Sequence, residues 1–387
     1  MKNNNFLYTI SEKLFSAYGH NLSNIIIVFP SRRAHVFFTE ELSKIINQPI
    51  WLPKFYSIED LIFEIGDLNQ VNKLELFLMF YNLYNKNINN PQPIDQCYKW
   101  ATVLLEDFNE LDKSYVDDIK LFQYLSDIKR LDAWDLDLNQ ETEFTTNYLL
   151  FFDKLKILYQ SLKKELFLNG MAYSGLAQRK LADKPEIIEG WMKNKNCEKI
   201  VFVGLDALTK SQEVFIDYLL TKKLCDIYWD TDKYFFENTK QESAKFLRKY
   251  KEKWPTLFND IKNHFLSIPK SVNIFGVSKN ITQAKLLGNL LSDQNYNPEN
   301  IKRVAIILPN ESLLPAVLES LPPNIENINV TMGYKLFSHP LASIYYDILQ
   351  LYHTKKNASL SSEDTLFSSH DIINLFQNPY FKSLLDK

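Results

Sequence analysis

The segment Asn24–Phe38, NIIIVFPSRRAHVFF, constrains the fold more than any other part of the chain. Ile25, Ile26, Ile27, Val28 and Phe29 form an unbroken apolar run without polar alternation. Such a run suits a strand buried on both faces, as in the middle of a parallel sheet. Pro30 has no N–H to donate and ends the ladder. Ser31 is placed to cap the next helix, whose apolar face reads Ala34, Val36, Phe37 and Leu42. Arg32 and Arg33 therefore sit where a strand hands over to a helix. In open α/β sheets this carboxyl edge is where ligands bind. Two readings of the arginines stand side by side. In one they are solvated or pair with Asp or Glu. In the other they contact phosphate, because guanidinium forks match phosphate oxygens and a helix N-terminus adds N–H donors.

Around this segment the chain opens as α/β. Phe6–Tyr18 has helical apolar spacing through Phe6, Leu7, Ile10, Leu14 and Phe15. Pro49–Phe55 reads as a short second strand broken by Pro53, and Ser57 with Asp60 as a capping-box-like start for a helix over Ile58–Ile65. From about Val71 the grammar changes. Leu74, Phe77, Leu78 and Tyr81 recur at helical spacing, as do Trp100, Val103, Leu104, Phe108 and Leu111, then Val116, Ile119, Phe122 and Leu125. A long apolar helix follows to Gly170, a natural stop. The rings of this block could stack bases, but a ring-rich helical core is the plainer reading.

Strand grammar returns at Glu198–Val203 and Asp226–Trp229, with Thr209 and Ser211 as caps for a helix over Gln212–Leu220. The helical block is thus an insertion in the first sheet. KFLRKYKEK, Lys245–Lys253, is the most basic short segment; it reads as a solvated helix face, with a backbone-contacting patch as the minority reading. A second α/β unit is expected from Ser271, with strands at Val272–Val277, Arg303–Leu308 and Asn327–Thr331 and helices at Thr282–Leu291, Glu311–Leu321 and Leu341–Tyr352. Lys355–Asp364 reads as a polar loop, and the amphipathic end as the cut edge of a longer protein. The expected domains are residues 1–70 with 183–268, an all-helical insertion over 71–182, and the start of a second lobe over 271–387.

Bulk composition narrows the function. With 387 residues the chain can hold two or three cores. A net charge of −3 means that any nucleic-acid contact needs a local basic patch. Only 9 glycines are present, and phosphate-cradling loops need glycine for close backbone approach. Cys97, Cys197 and Cys225 form no CxxC or Cys/His cluster, so no metal site is expected, and sparse cysteines suit a reducing cytoplasm. No apolar run approaches the ~18 residues of a membrane span.

The missing motifs are as informative. A nucleotide-binding α/β protein carries GxxxxGK[ST] after its first strand, and here PSRRAHVF follows instead. A metal-holding acidic pair belongs at the end of a strand such as Ile200–Val203. Gly204, Leu205 and Asp206 stand there, and a lone turn aspartate is structural. GxGxxG and GxSxG are absent too. No cofactor is expected.

FPSRRAHVFFTEEL followed by WLPKFYSIEDLI resembles the N-terminal region of AddB-like proteins, the nuclease-bearing partners in AddAB-type helicase–nucleases. VFVGLDALTKSQEVFI is similar to their degenerate version of the helicase acidic-motif strand. Gln283–Ala284, VAIILPNESLLPAVLESLP and NVTMGYKLFSHPLASIYYDILQL are similar to the start of their second motor-like lobe. The resemblance implies an α/β fold of two RecA-like, P-loop-NTPase-like parallel-sheet lobes, with the helical insertion in the first and an inactivated ATP site. It implies action on DNA ends or single-stranded DNA in double-strand-break processing and recombinational repair, beside an AddA-like helicase–nuclease subunit. Ser31, Arg32 and Arg33 fall where helicases of this class carry a strand-contacting motif. The family's PD-(D/E)XK exonuclease module, which uses a divalent metal, finds no matching residues here, so no catalytic residue is expected in this chain. Two rivals remain: a two-lobed transferase such as a nucleotide-sugar glycosyltransferase, which would want Gly-rich loops, and a pure protein-interaction scaffold.

Overall fold

A computed structural model describes residues 5–125, 143–258, 261–293, 304–325, 327–333, 335–354, 356–357 and 365–385. The chain divides into two compact units, Met1–Pro269 and Lys270–Lys387.

The first unit is α/β, built on a parallel sheet of four strands. They are β1 (Ile25–Phe29), β2 (Lys54–Ser57), β5 (Lys199–Val203) and β6 (Cys225–Tyr228), in the spatial order β2-β1-β5-β6. All five residues of β1 are buried, as its unbroken apolar run requires. Successive side chains leave on opposite faces. Ile25, Ile27 and Phe29 join Val201 and Val203 under α1 (Phe6–Tyr18) and α2 (Ala34–Ser43). Ile26 and Val28 join Ile200 and Phe202 on the other face, in a core continuous with the helical block. Each such side chain contributes roughly 1.5–3 kcal/mol when fully buried.

Three local expectations shift. The second strand runs over Lys54–Ser57 rather than Pro49–Phe55, with Lys54 opposite Ile26. Pro53 cannot donate to the ladder, so pairing begins after it. Ser31 does not cap α2 with its side chain. Its carbonyl oxygen accepts from the Ala34 N–H at 3.3 Å, and Arg33 is the residue that precedes the helix. The buried face of α2 is Phe38, Glu41 and Leu42, while Val36 and Phe37 are exposed.

α3 (Ile58–Gly66) starts as its capping signal demands: Ser57 Oγ accepts from the Asp60 N–H at 3.1 Å. β3 (Asn69–Gln70) then pairs in parallel with β4 (Met171–Ala172), closing the helical block at its base. Between them run α4 (Lys73–Asn87), α5 (Ile94–Lys113) and α6 (Glu143–Leu168). Their rings pack on one another. Phe77 meets Tyr98 edge-on at 4.9 Å, and Phe108 meets Tyr159 at 5.0 Å. Leu76, Phe77, Phe80, Leu83 and Tyr84 form the buried face of α4, whereas Leu74 and Leu78 point outward.

α7 (Ser174–Asp183) and α8 (Glu186–Asn194) lead back into β5, and α9 (Lys210–Thr221) joins β5 to β6. Thr209 and Gln212 form a full capping box at the start of α9. Ser211 is not a cap. Its hydroxyl donates to the Asp112 carbonyl oxygen at 2.6 Å, tying α9 to α5. Asp112 is completely buried. Its carboxylate accepts from Tyr159 Oη and Tyr173 Oη, each at 2.5 Å, and Arg179 Nη1 lies 3.5 Å away. Burial pushes this carboxyl upward, against the hydrogen bonds from both tyrosines.

The second unit contains α10 (Asn280–Asp293), α11 (Leu314–Ser320), α12 (Ala342–Thr354), α13 (Ser369–Gln377) and α14 (Pro379–Leu385). α10 and α11 approach closely at Gly288, where an added Cβ would lie 2.0 Å from the Ser320 carbonyl oxygen. The expected strands are not realised here. Val272–Val277, the described residues 304–308, and Asn327–Thr331 join no ladder, and Ile274 and Ile307 are 92% and 84% exposed. β-propensity becomes a strand only when a neighbour completes its backbone hydrogen bonds. Phe275, Ile306 and Leu308 instead line a cavity of about 480 Å³ with Leu287, Leu291 and Val317, and with Asn273 and Gln283 on its polar side. The one ladder among the described residues of this unit is antiparallel, Lys356–Asn357 with Thr365–Leu366. Most of the expected loop 355–364 lies outside the described residues, as does Arg303. Among the described residues no helix is long and apolar enough to cross a membrane.

Candidate functional site

In the first sheet the chain leaves β1 for β2 on one side and returns to β5 on the other. β1 is therefore the topological switch point, and its carboxyl end is the natural place for a ligand. Pro30–Arg33 leave β1 there. Beside them Ser57–Asp60 leave β2, because Phe29 and Ser57 are in register. A polar cleft of about 430 Å³ lies between these two strand ends, with Ser31, Arg32, Ser57, Asp60 and Gln70 among its lining residues.

Arg32 and Asp60 form a two-pronged pair across the cleft. Arg32 Nε donates to Asp60 Oδ2 at 2.8 Å and Nη2 donates to Oδ1 at 2.5 Å. Ser57 Oγ donates a third hydrogen bond to Asp60 Oδ2 at 2.7 Å. Hydrogen bonding from Arg32, with Ser57 behind it, holds the Asp60 carboxyl below its ordinary range, and Asp60 in turn raises Arg32. For Arg32, then, pairing with a carboxylate is the arrangement found.

Arg33 differs. It is exposed and makes no ion pair or hydrogen bond through its side chain among the described residues. Phe37 lies one helical turn on and is 58% exposed. Residues four apart share a helix face, so Arg33 and Phe37, both exposed, fall on one side of α2 at its start. The sequence pattern assigned Phe37 to the core and so concealed this pair. Ser31 lines the cleft without capping α2.

The other strand ends carry less. Asp206 is exposed and stands alone after β5, and Leu205 and Leu208 beside it are buried. Tyr250 Oη accepts from the Leu208 N–H at 2.7 Å and fixes this loop. Among the described residues no group of three or more His, Cys, Asp or Glu is placed to hold a metal. The basic segment Lys245–Lys253 is a helix whose cations are engaged internally. Arg248 donates to the carbonyl oxygens of Phe235, Asn238 and Gln241. Lys249 reaches the buried Glu213 at 2.8 Å, Lys253 lies 3.6 Å from Asp217, and Lys251 sits 5.1 Å over the Phe236 ring. These partners make the segment a clamp on α9 and its surroundings rather than a patch held out to a ligand.

No protein-family model matches the chain, and no curated protein matches it.

Proposed function

We propose that this chain is the catalytically silent, helicase-like and DNA-binding portion of an AddB-like nuclease subunit. It holds single-stranded DNA at broken ends during double-strand-break processing and recombinational repair. One observation carries the reading: Arg33, without a partner among the described residues, and Phe37, 58% exposed, fall on one side of the helix that leaves the carboxyl end of the sheet's switch strand. A cation beside an exposed aromatic is what single-strand binding asks for. The charge takes a phosphate and the ring stacks a base without choosing its identity. The residues after β1 lack the glycine-lysine cradle, and those after β5 carry Asp206 alone rather than an acidic pair, so the edge suits binding rather than NTP hydrolysis.

In this reading the first unit is one RecA-like lobe carrying a helical insertion and the second unit belongs to another. The nuclease centre with its divalent metal lies outside this chain, and an AddA-like subunit supplies the motor. The test is a gel shift with single-stranded, blunt-ended and closed circular duplex DNA over a range of salt. Binding to single strands and ends that weakens steeply with salt supports the reading. No binding at low salt by folded protein removes it.

A further inference from the structure

The Arg32–Asp60 pair has the form of an occupied anion site. Arginine presents parallel N–H groups that match the oxygens of a carboxylate or of a phosphate equally well. Here the carboxylate comes from the chain itself. We infer that Asp60 sits in the seat of a phosphate group on Arg32, and that DNA enters the cleft by exchanging a backbone phosphate for this carboxylate. The identity of the phosphate as DNA rests on the function proposed above; the self-occupied seat rests on geometry alone.

Three features make the exchange feasible. The Arg32 side chain is 80% exposed, so an incoming anion can reach the guanidinium without unfolding anything. Two of its five N–H donors go to Asp60, and the remaining donors are available to an approaching group. Asp60 does not depend on Arg32. When the guanidinium turns away, the carboxylate keeps the Ser57 hydroxyl and its place in the first turn of α3, where the helix dipole favours negative charge. The cleft beside the pair, with Ser31 and Gln70 on its walls, has room for the displacing group. Glu59 also lines it, so the resting cleft repels polyanions and the latch raises the threshold for binding.

The experiment uses the whole chain and two probes, inorganic pyrophosphate and a short oligothymidylate. Asp60→Asn removes the competing charge while its amide oxygen can still accept from Ser57. It should bind both probes about tenfold more tightly than the unaltered protein, the gain of one charge-assisted contact. Its log K versus log salt slope on the oligonucleotide should steepen by ~0.7, for one more phosphate. Both gains should vanish in Asp60→Asn with Arg32→Ala. Asp60→Ser is the second variant if the first does not fold. Folded Asp60→Asn with unchanged affinity for both probes overturns the inference, whatever the unaltered protein does with DNA, and makes Asp60 a structural anchor. Tighter pyrophosphate binding with no oligonucleotide binding by any variant supports the seat and removes DNA as its occupant.

Discussion

Tyr173 donates its hydroxyl proton to the carboxylate of Asp112 at 2.5 Å, and both residues are buried. Tyr159 and Arg179 approach the same carboxylate, so one side chain of α5 gathers α6, α7 and the segment before α7. Asp112→Ala leaves two buried hydroxyls unpaired and takes one acid from Arg179. Breaking a buried charged network from one side costs about 3–5 kcal/mol. Urea unfolding should show a lower midpoint with an unchanged slope. A loss below about 1 kcal/mol would mean that the network is not what holds α5 to α6 and α7.

Gly175 provides a second test of that junction. An added Cβ would lie 2.2 Å from the Asn109 carbonyl oxygen, and the Gly175 N–H donates to Asn109 Oδ1 at 2.8 Å. Gly175→Ala forces α5 and α7 apart. Overpacking of this kind costs about 1–3 kcal/mol, and the melting temperature should fall. Gly190→Ala, where nothing lies within 4 Å of the new Cβ, is the control expected to change little.

Glu213 gives the protein an acid-sensitive clamp. Its side chain is 3% exposed, with Lys249 Nζ at 2.8 Å and Lys210 Nζ at 3.1 Å. Burial raises its carboxyl, but the bonds from Lys249 and Lys210 outweigh this and hold it below the ordinary value. The folded state therefore prefers the charged form more than the unfolded chain does. The resulting stability is present above the unfolded glutamate value of about 4.3 and is lost as pH falls through the lower folded value. The melting-temperature advantage of the unaltered protein over Glu213→Gln should be constant near neutrality and shrink below about pH 4. An advantage that grows on acidification would refute the clamp.

The parts legible in the sequence are those where one physical demand acts alone. Ile25–Phe29 could only be a doubly buried strand, and the capping residues Ser57 and Thr209 stand where α3 and α9 begin. Legibility failed where a helix is apolar on more than one side. In α4 the spacing of Leu74 and Leu78 is as regular as that of Leu76 and Phe80, and only packing against α5 and α6 selects the second pair. The same ambiguity in α2 places Phe37 in the core by its spacing and on the surface in the fold. Asp60 is visible in the sequence as part of a helix cap, but its bond to Arg32 arises from the register of Phe29 with Ser57, which no local pattern records. The strands expected in the second unit failed for a related reason: their residues favour extended chain, but pairing is a property of neighbours.

The strand end after β1 should not support nucleotide binding. Pro30, Ser31, Arg32 and Arg33 replace the glycine-lysine cradle, and proline offers no N–H to a phosphate. Titration calorimetry with Mg-ATP should show no heat of binding at micromolar nucleotide, and no turnover should appear on adding DNA. Saturable micromolar binding would mean that the edge grips phosphates by another route.

Arg33 and Phe37 should separate charge from stacking on single-stranded DNA. Neither side chain holds the fold: Arg33 has no partner among the described residues, and Phe37 is mostly exposed. Both Arg33→Ala and Phe37→Ala should therefore keep the melting temperature. Arg33→Ala removes one phosphate contact, so the log K versus log salt slope should flatten by ~0.7, equally for all sequences. Phe37→Ala removes a stacked base worth about 1–3 kcal/mol, so affinity should fall roughly 5- to 150-fold while the slope stays unchanged. Arg32→Ala should behave differently from both, because it also releases Asp60 and loosens the tie between the ends of β1 and β2, lowering the melting temperature slightly. Fluorescence anisotropy of a labelled oligothymidylate over a series of salt concentrations, with melting curves from the same preparations, reads all three. Equal slopes and affinities for the unaltered protein, Arg33→Ala and Phe37→Ala would place any DNA contact elsewhere on the chain.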